Sequence, residues 1–479
     1  MNHGLHHRKQ RGVQLRRTML PVLLIAQLMA VIDVSAVNVA LPHISKGLGI
    51  AGGDSGWAIT SYTLLFGSLL LLGGRAADLL GRRWMFLAGV SVFTIGSLAS
   101  SLAGTGAEFF GARAVQGTGA AMLSPAALSI LSSAFVEDAR ARALAAWAAV
   151  GGAGAAIGVL AGGFLVGVAG WRAIFFVNLP IGVLLVLLAL RTLPRDEAGL
   201  QWQGLDLRGA LLAVFGVGAV VYGVSRAGVV GWTSVSTLGF TLAGVFALGL
   251  FVALERRVES PLLRAEKLAD RAIGGGFVLM LSAAGMLFSV FLLVSLYLQD
   301  VQRAGALRAG AAFLPLALAA GAGAHVGGRL VRHSGVRGPM AAGFLFAAAG
   351  MLVLARLPRQ GGYVADVLPG LVVVGLALGV VLVAVALCVF AGAEDSEAGM
   401  LSGLNSTGHE LGGTIGVALS VAIASAGAGA HASAPHLDRA FLLNACVGGF
   451  AALVAWLVLP AAGPFLERLK STGAPILVH

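Results

Sequence analysis

From Met19 to Leu41 the chain carries one charged side chain, Asp33, inside an otherwise largely apolar stretch. About 20 such residues in helical form span the hydrocarbon core of a bilayer, and further stretches of similar length follow to residue 460. This repeated length limits the fold more than any other feature. Backbone groups in lipid must be satisfied within the segment, so the runs predict helices. Composition agrees: of 479 residues, 58% are hydrophobic and 11% charged, against roughly 25% charged in soluble domains.

Cutting at the polar breaks gives spans near 19–41, 56–74, 84–103, 107–134, 143–169, 172–192, 207–226, 235–254, 272–298, 309–331, 338–356, 366–391, 398–426 and 438–460. Fourteen membrane helices are therefore expected in an all-α integral membrane fold, with both termini on one side. Most of the 32 Lys and Arg fall in the connections on that side, among them Arg16, Arg17, Arg75, Arg82, Arg83, Arg140, Arg142, Arg256, Arg257 and Arg468. The positive-inside rule then predicts both ends in the cytoplasm. Residues 1–18 read as a basic, unstructured cytoplasmic tail and 461–479 as a second tail.

Gly74–Arg83 (GRAADLLGRR) and Gly328–Arg337 (GRLVRHSGVR) share an opening Gly-Arg, a Gly seven residues after the first, and a final Arg. Each follows an apolar run on the basic side. The repeat predicts two equivalent six-helix halves, 19–192 and 272–460, separated by a 193–271 linker holding two inserted helices. Paired halves around a central site are a transporter architecture.

Other chemistry is excluded on simple grounds. The net charge of +11 is scattered in short clusters, with no basic soluble module for nucleic acid. Cys388 and Cys446 both lie in apolar runs and provide neither a disulfide framework nor metal-ligand spacing. Gly-Lys never occurs, so no phosphate loop for ATP is present. No catalytic residue, metal or cofactor is expected, and the proton gradient is the expected energy source.

GGRAADLLGRR resembles the loop signature of the major facilitator superfamily, with Gly74, Asp78, Gly81, Arg82 and Arg83 at the matching positions. Further stretches resemble that family's fourteen-helix branch, the EmrB/QacA-type drug:proton antiporters. IDVSAVNVALP carries Asp33, Asn38 and Pro42 in the first helix. ARAVQGTGAA carries Arg113, Gln116, Gly117 and Gly119 in the fourth. GWRAIFFVNLPIG carries Trp171, Arg172, Asn178 and Pro180 at the start of the sixth, and YLQD (297–300) and residues 397–416 are similar to the second half. The resemblance implies a proton-coupled exporter of small amphipathic or cationic compounds, multi-pass in a bacterial inner membrane and working as a monomer. It also implies a conformational latch at Asp78, which would cap a helix end or pair across the bundle. The fifth-helix antiporter motif departs from the family pattern, because Val159 stands where a proline is usual. Gly154, Gly158 and Gly162 remain as a small-residue stripe at four-residue spacing for close helix packing, with Gly163 beside them in the motif. A narrow-specificity exporter or an importer of the same fold, or a non-transporting receptor, are the alternatives.

An ionisable group at mid-membrane costs about 2.5–3.5 kcal/mol on insertion scales, so each is a candidate for function. Asp33 and Arg113 lie at similar expected depth, Asp33 about eight residues from the outer helix end. They are expected to face one cavity and interact, with Asp33 as the proton or cation site and Arg113 governing its charge; a static pair is the alternative. Glu410 lies on a stripe with Gly399, Gly403, Ser406 and Gly413. It is a candidate second protonation site, cation contact or interhelical hydrogen bond. His325 reads as a packed polar residue.

Overall fold

A computed structural model describes residues 2–471 except 52–53, 136, 195, 197–205, 259–267, 359, 391–397 and 426–435. Every regular element among the described residues is helical. The first half comprises α1 (Asn2–Leu48), α2 (Trp57–Leu80), α3 (Arg82–Leu102), α4 (Gly106–Ala134), α5 (Glu137–Ala169), the short α6 (Ala173–Phe176) and α7 (Asn178–Thr192). An inserted pair follows, α8 (Leu207–Val230) and α9 (Val235–Glu255). The second half comprises α10 (Arg271–Leu296), α11 (Ala306–Ala311), α12 (Leu314–Ser334), α13 (Arg337–Leu354), α14 (Leu368–Phe390), α15 (Ala398–Ser425) and α16 (Leu437–Val458), with α17 (Ala462–Ser471) behind it.

Among the described residues, twelve helices are long and apolar enough to cross a membrane. Two long helices fall short of that measure. In α5 the described apolar part is Ala156–Ala169. In α15 the middle turns hold Asn405, Ser406, Thr407, His409 and Glu410, which dilute its apolarity. Short polar residues start several helices. Thr105 and Glu108 form a reciprocal capping box on α4, while Asp206, Ser234 and Asp270 accept backbone N–H groups at the starts of α8, α9 and α10.

The expected boundaries shift at both ends of α1, while α2 runs on past 74 to Leu80 and α5 starts at Glu137 instead of 143. Residues 2–18, read as an unstructured tail, continue the helix of α1. At its other end α1 runs through Pro42 to Leu48 instead of stopping near Leu41. Asp33 therefore lies about 22 Å from that end at 1.5 Å per residue, not about 12 Å. It sits at the middle of the Thr18–Leu48 span.

The two copies of the repeated loop fold alike. Gly81 (φ 102°) closes the α2–α3 turn and Gly335 (φ 74°) closes the α12–α13 turn, both in backbone territory that other residues resist. The end of the bundle carrying these turns is called the basic end below, and the opposite one the far end.

The halves meet along two seams, α2 with α15 and α5 with α11–α12, and α8 packs over the first of them. Within the first half, the α5 glycine stripe lies against α1. A Cβ at Gly158 would stand 2.8 Å from Ser35 Cβ and 2.9 Å from Ile32 Cα, and one at Gly162 2.7 Å from Ala36 Cα. A Cβ at Gly154 would meet Val31 and Leu28, whereas one at Gly163 faces the other half, 2.6 Å from the Ala306 carbonyl. The stripe is thus the α1 docking face, and α5 passes Val159 as unbroken helix. Gly158→Val should destabilise the protein by about 1–3 kcal/mol through overpacking, measured as thermal denaturation in detergent. Gly167→Val on the same helix, where a Cβ would meet nothing within 4 Å, should leave the transition unchanged.

Candidate functional site

Asp33 is 1% exposed and both of its oxygens are occupied. Arg113 Nη1 donates to Oδ2 at 2.5 Å. Gln116 Nε2 donates to Oδ1 at 2.7 Å and Asn178 Nδ2 to the same atom at 3.1 Å. Arg113 Nη1 also reaches Gln116 Oε1 at 2.7 Å, and Arg113 Nε reaches the Ala58 carbonyl at 3.3 Å. The Ser97 hydroxyl receives Gln116 Nε2 at 3.3 Å and Asn178 Nδ2 at 3.0 Å and donates to the Phe175 carbonyl. Four elements, α1, α3, α4 and the start of α7, thus contribute hydrogen-bonding side chains to one network around the carboxylate. The guanidinium lies over the Tyr62 ring at 4.4 Å and is 5.6 Å from the Phe175 ring centre, a favourable face for a cation.

Local packing makes this possible. Gln116 and Gly117 are neighbours on α4. The missing side chain at Gly117 lets α4 lie directly on the Tyr62 backbone of α2, where a Cβ would collide with the Tyr62 carbonyl. Asn178 begins α7, and Pro180 follows in the first turn, where a missing N–H goes unneeded. Trp171 packs edge-to-face on Phe109 and Phe175. Arg172 covers the Trp171 ring and donates to the Ala103 carbonyl at 2.9 Å, fixing the approach to α7.

Asp33 and Arg113 interact as the sequence leads one to expect, but they do not face an open cavity. Arg113 is also 1% exposed, because α2 and α3 close over the pair. Arg113, Gln116 and Asn178 all present N–H donors to the two Asp33 oxygens.

Glu410 stands apart from this network. It lies on α15 at the α2 seam, with its Cβ 2.9 Å from where a Gly67 Cβ would be. Its Oε1 is 3.2 Å from His409 Nδ1, and the His409 ring packs edge-on against Phe288. Asn38 and Pro42 also lie outside the network, on the face of α1 toward α10. His325 is not packed but sits on the exposed side of α12.

The expected latch differs in its parts. Among the described residues Asp78 pairs with Arg82 at 3.3 Å on an open surface, instead of capping a helix or crossing the bundle. The carboxylate that caps the loop is Asp196. Its oxygens accept the Arg83 and Trp84 N–H groups at 3.1 Å, while Arg83 Nη2 reaches the Leu190 carbonyl at 2.6 Å. Asp196 and Ser97 were missed from sequence. One of several serines in α3 and an acid in a polar linker carry no local signal; their place depends on which helices touch.

The sequence matches the Major Facilitator Superfamily profile over residues 23–417. The chain belongs to the major facilitator superfamily. It is 37% identical over 447 residues to the puromycin resistance protein pur8 of Streptomyces alboniger, covering 92% of this chain and 88% of the relative. It is 35% identical over 461 residues to the cephamycin export protein CmcT of Amycolatopsis lactamdurans, covering 95% and 93%. In fold it is similar to a bacterial homologue of the human lysosomal transporter Spinster, with TM-score 0.66 and 16% identity over 95% of this chain and 98% of that one. As a major facilitator protein the chain is a multi-pass membrane transporter of small molecules, not an enzyme.

Breaking a buried ion pair from one side costs about 3–5 kcal/mol, since a bare charge is left behind. Arg113→Gln should therefore lower thermal stability more than the double variant Asp33→Asn/Arg113→Gln does, in a denaturation series on purified protein. Equal losses would mean that the two charges are not coupled.

Proposed function

We propose that this transporter exports small amphipathic or cationic compounds, antibiotics among them, in exchange for protons. Export is supported by the names of the two relatives, one a resistance protein and one an export protein. Proton coupling is carried by one observation: a mid-bundle carboxylate sealed from solvent and held by a guanidinium and two amides. A charge-bearing site that is closed in one state must open in another to exchange its proton. When a proton lands on Asp33, Oδ2 no longer balances Arg113, and the Gln116 and Asn178 amides lose an anionic acceptor. The resulting rearrangement spans four elements of one half and so can bias how residues 19–192 rock against 272–460.

In this reading all fourteen long helices cross the inner membrane of a bacterium. The basic end and both termini lie in the cytoplasm, as the Lys and Arg distribution favours. A monomer suffices, with no cofactor. The electrical gradient provides about 2.3 kcal/mol per charge per 100 mV. Glu410, on the seam between the halves, serves as a cation contact or a second proton site. A second reading is export of a single antibiotic, favoured because each of the two relatives is named for one compound.

Uptake of a fluorescent cationic drug into inverted vesicles, energised by an inside-acid gradient, tests the coupling. Asp33→Asn should reduce gradient-driven uptake at least tenfold, and uptake equal to the parent's would end the antiport reading. Glu410→Gln should reduce transport of a cationic compound more than that of a neutral one of similar size. Equal loss for both would place Glu410 in coupling instead.

A further inference from the structure

The first-helix motif residues Asn38 and Pro42 are left without a role by the Asp33 network, as is the glutamine of YLQD. The structure brings them together. Pro42 lies inside α1 and has no N–H, so the Asn38 carbonyl four residues earlier has no helical donor. That carbonyl instead accepts the Ser295 hydroxyl of α10 at 3.0 Å. The next carbonyl, Val39, accepts Gln299 Nε2 at 2.8 Å, and the same amide reaches Ser295 Oγ at 2.8 Å. Gln299 lies in the π-turn Tyr297–Val301 that extends α10. Acceptors and donors thus belong to opposite halves of the transporter. Asn38, Ser295 and Gln299 are buried, and Val37, Val39, Val294 and Leu298 pack around them, each 3% exposed or less.

We propose that Pro42, Ser295 and Gln299 form the far-end gate of this transporter. The proline strips α1 of an internal hydrogen bond and leaves a carbonyl that the protein satisfies only while the halves are together at that end. Parting them there leaves the Asn38 carbonyl and two side-chain donors to be hydrated, so the gate resists opening until water enters. The clasp is releasable because, among the described residues, the amide oxygens of Asn38 and Gln299 meet no donor in the closed arrangement and gain water on opening. The inference rests on the fold and the two halves, not on proton coupling, and is tested without measuring flux.

The reporter is Leu298→Cys, buried at 3% exposure in the clasp, in full-length protein with Cys446→Ala. Native Cys388, fully buried in the second half, is kept as a monitor of general loosening. Labelling by a water-soluble maleimide in lipid nanodiscs is followed by mass spectrometry at each site. Ser295→Ala/Gln299→Leu should speed labelling at position 298 about tenfold, the scale of two hydrogen bonds, with Cys388 unchanged. Pro42→Ala, which returns a donor to the Asn38 carbonyl, should speed it severalfold. Ser282→Ala, on the same helix, where the hydroxyl bonds the Val278 carbonyl one turn back in that helix, should have no effect. Unchanged labelling in the clasp variants, or equal acceleration at Cys388, overturns the gate.

Discussion

The carboxylate of Asp33 and the guanidinium of Arg113 are the interaction around which the first half is organised. Either charge alone in the middle of a membrane helix would be costly. Together, with Gln116, Asn178 and Ser97 taking up the remaining hydrogen-bonding capacity, they form a closed polar unit that four elements must surround. Much of the packing nearby serves that enclosure. Gly117 lets α4 and α2 touch at the backbone, the Tyr62 ring lids the guanidinium, and the Trp171 cluster holds the start of α7 where Asn178 can reach.

The halves are joined on different terms. Within the first half, α1 and α5 meet through glycines at van der Waals limits. Between halves, the described contacts combine such close approaches, as at Gly163 and Gly67, with a few hydrogen bonds, including Ser295 to Asn38 and the Thr63 and Thr414 hydroxyls 2.6 Å apart. Interfaces of that kind give van der Waals contact without locking, as two bodies that must part and rejoin require.

Much of this could be read from sequence because membrane helices announce themselves by length and because buried charge is rare enough to be conspicuous. Asp33 and Arg113 stood out for that reason and do touch. The repeated Gly81 and Gly335 turns were legible from spacing, and both adopt the left-handed backbone. Depth was misjudged because the first span was cut at Leu41, whereas α1 passes through Pro42 and hands the freed carbonyl to α10. In this structure Asp78 pairs with Arg82; a loop motif shows that an acid is present but not which acid reaches the helix end. Asp196 does so from more than a hundred residues away.

The inserted helix α8 lies along the α2–α15 seam, where Val217, Val221 and Val224 pack with Leu64, Ala418 and Ala422. No equivalent helix covers the seam between α5 and α11 among the described residues, and there Phe164 and Leu307 are about half exposed. The internal repeat makes the two seams look like mirror positions, yet one is covered by α8 and the other leaves Phe164 and Leu307 uncovered among the described residues. A molecule dissolved in the bilayer therefore meets a transporter with a front and a back.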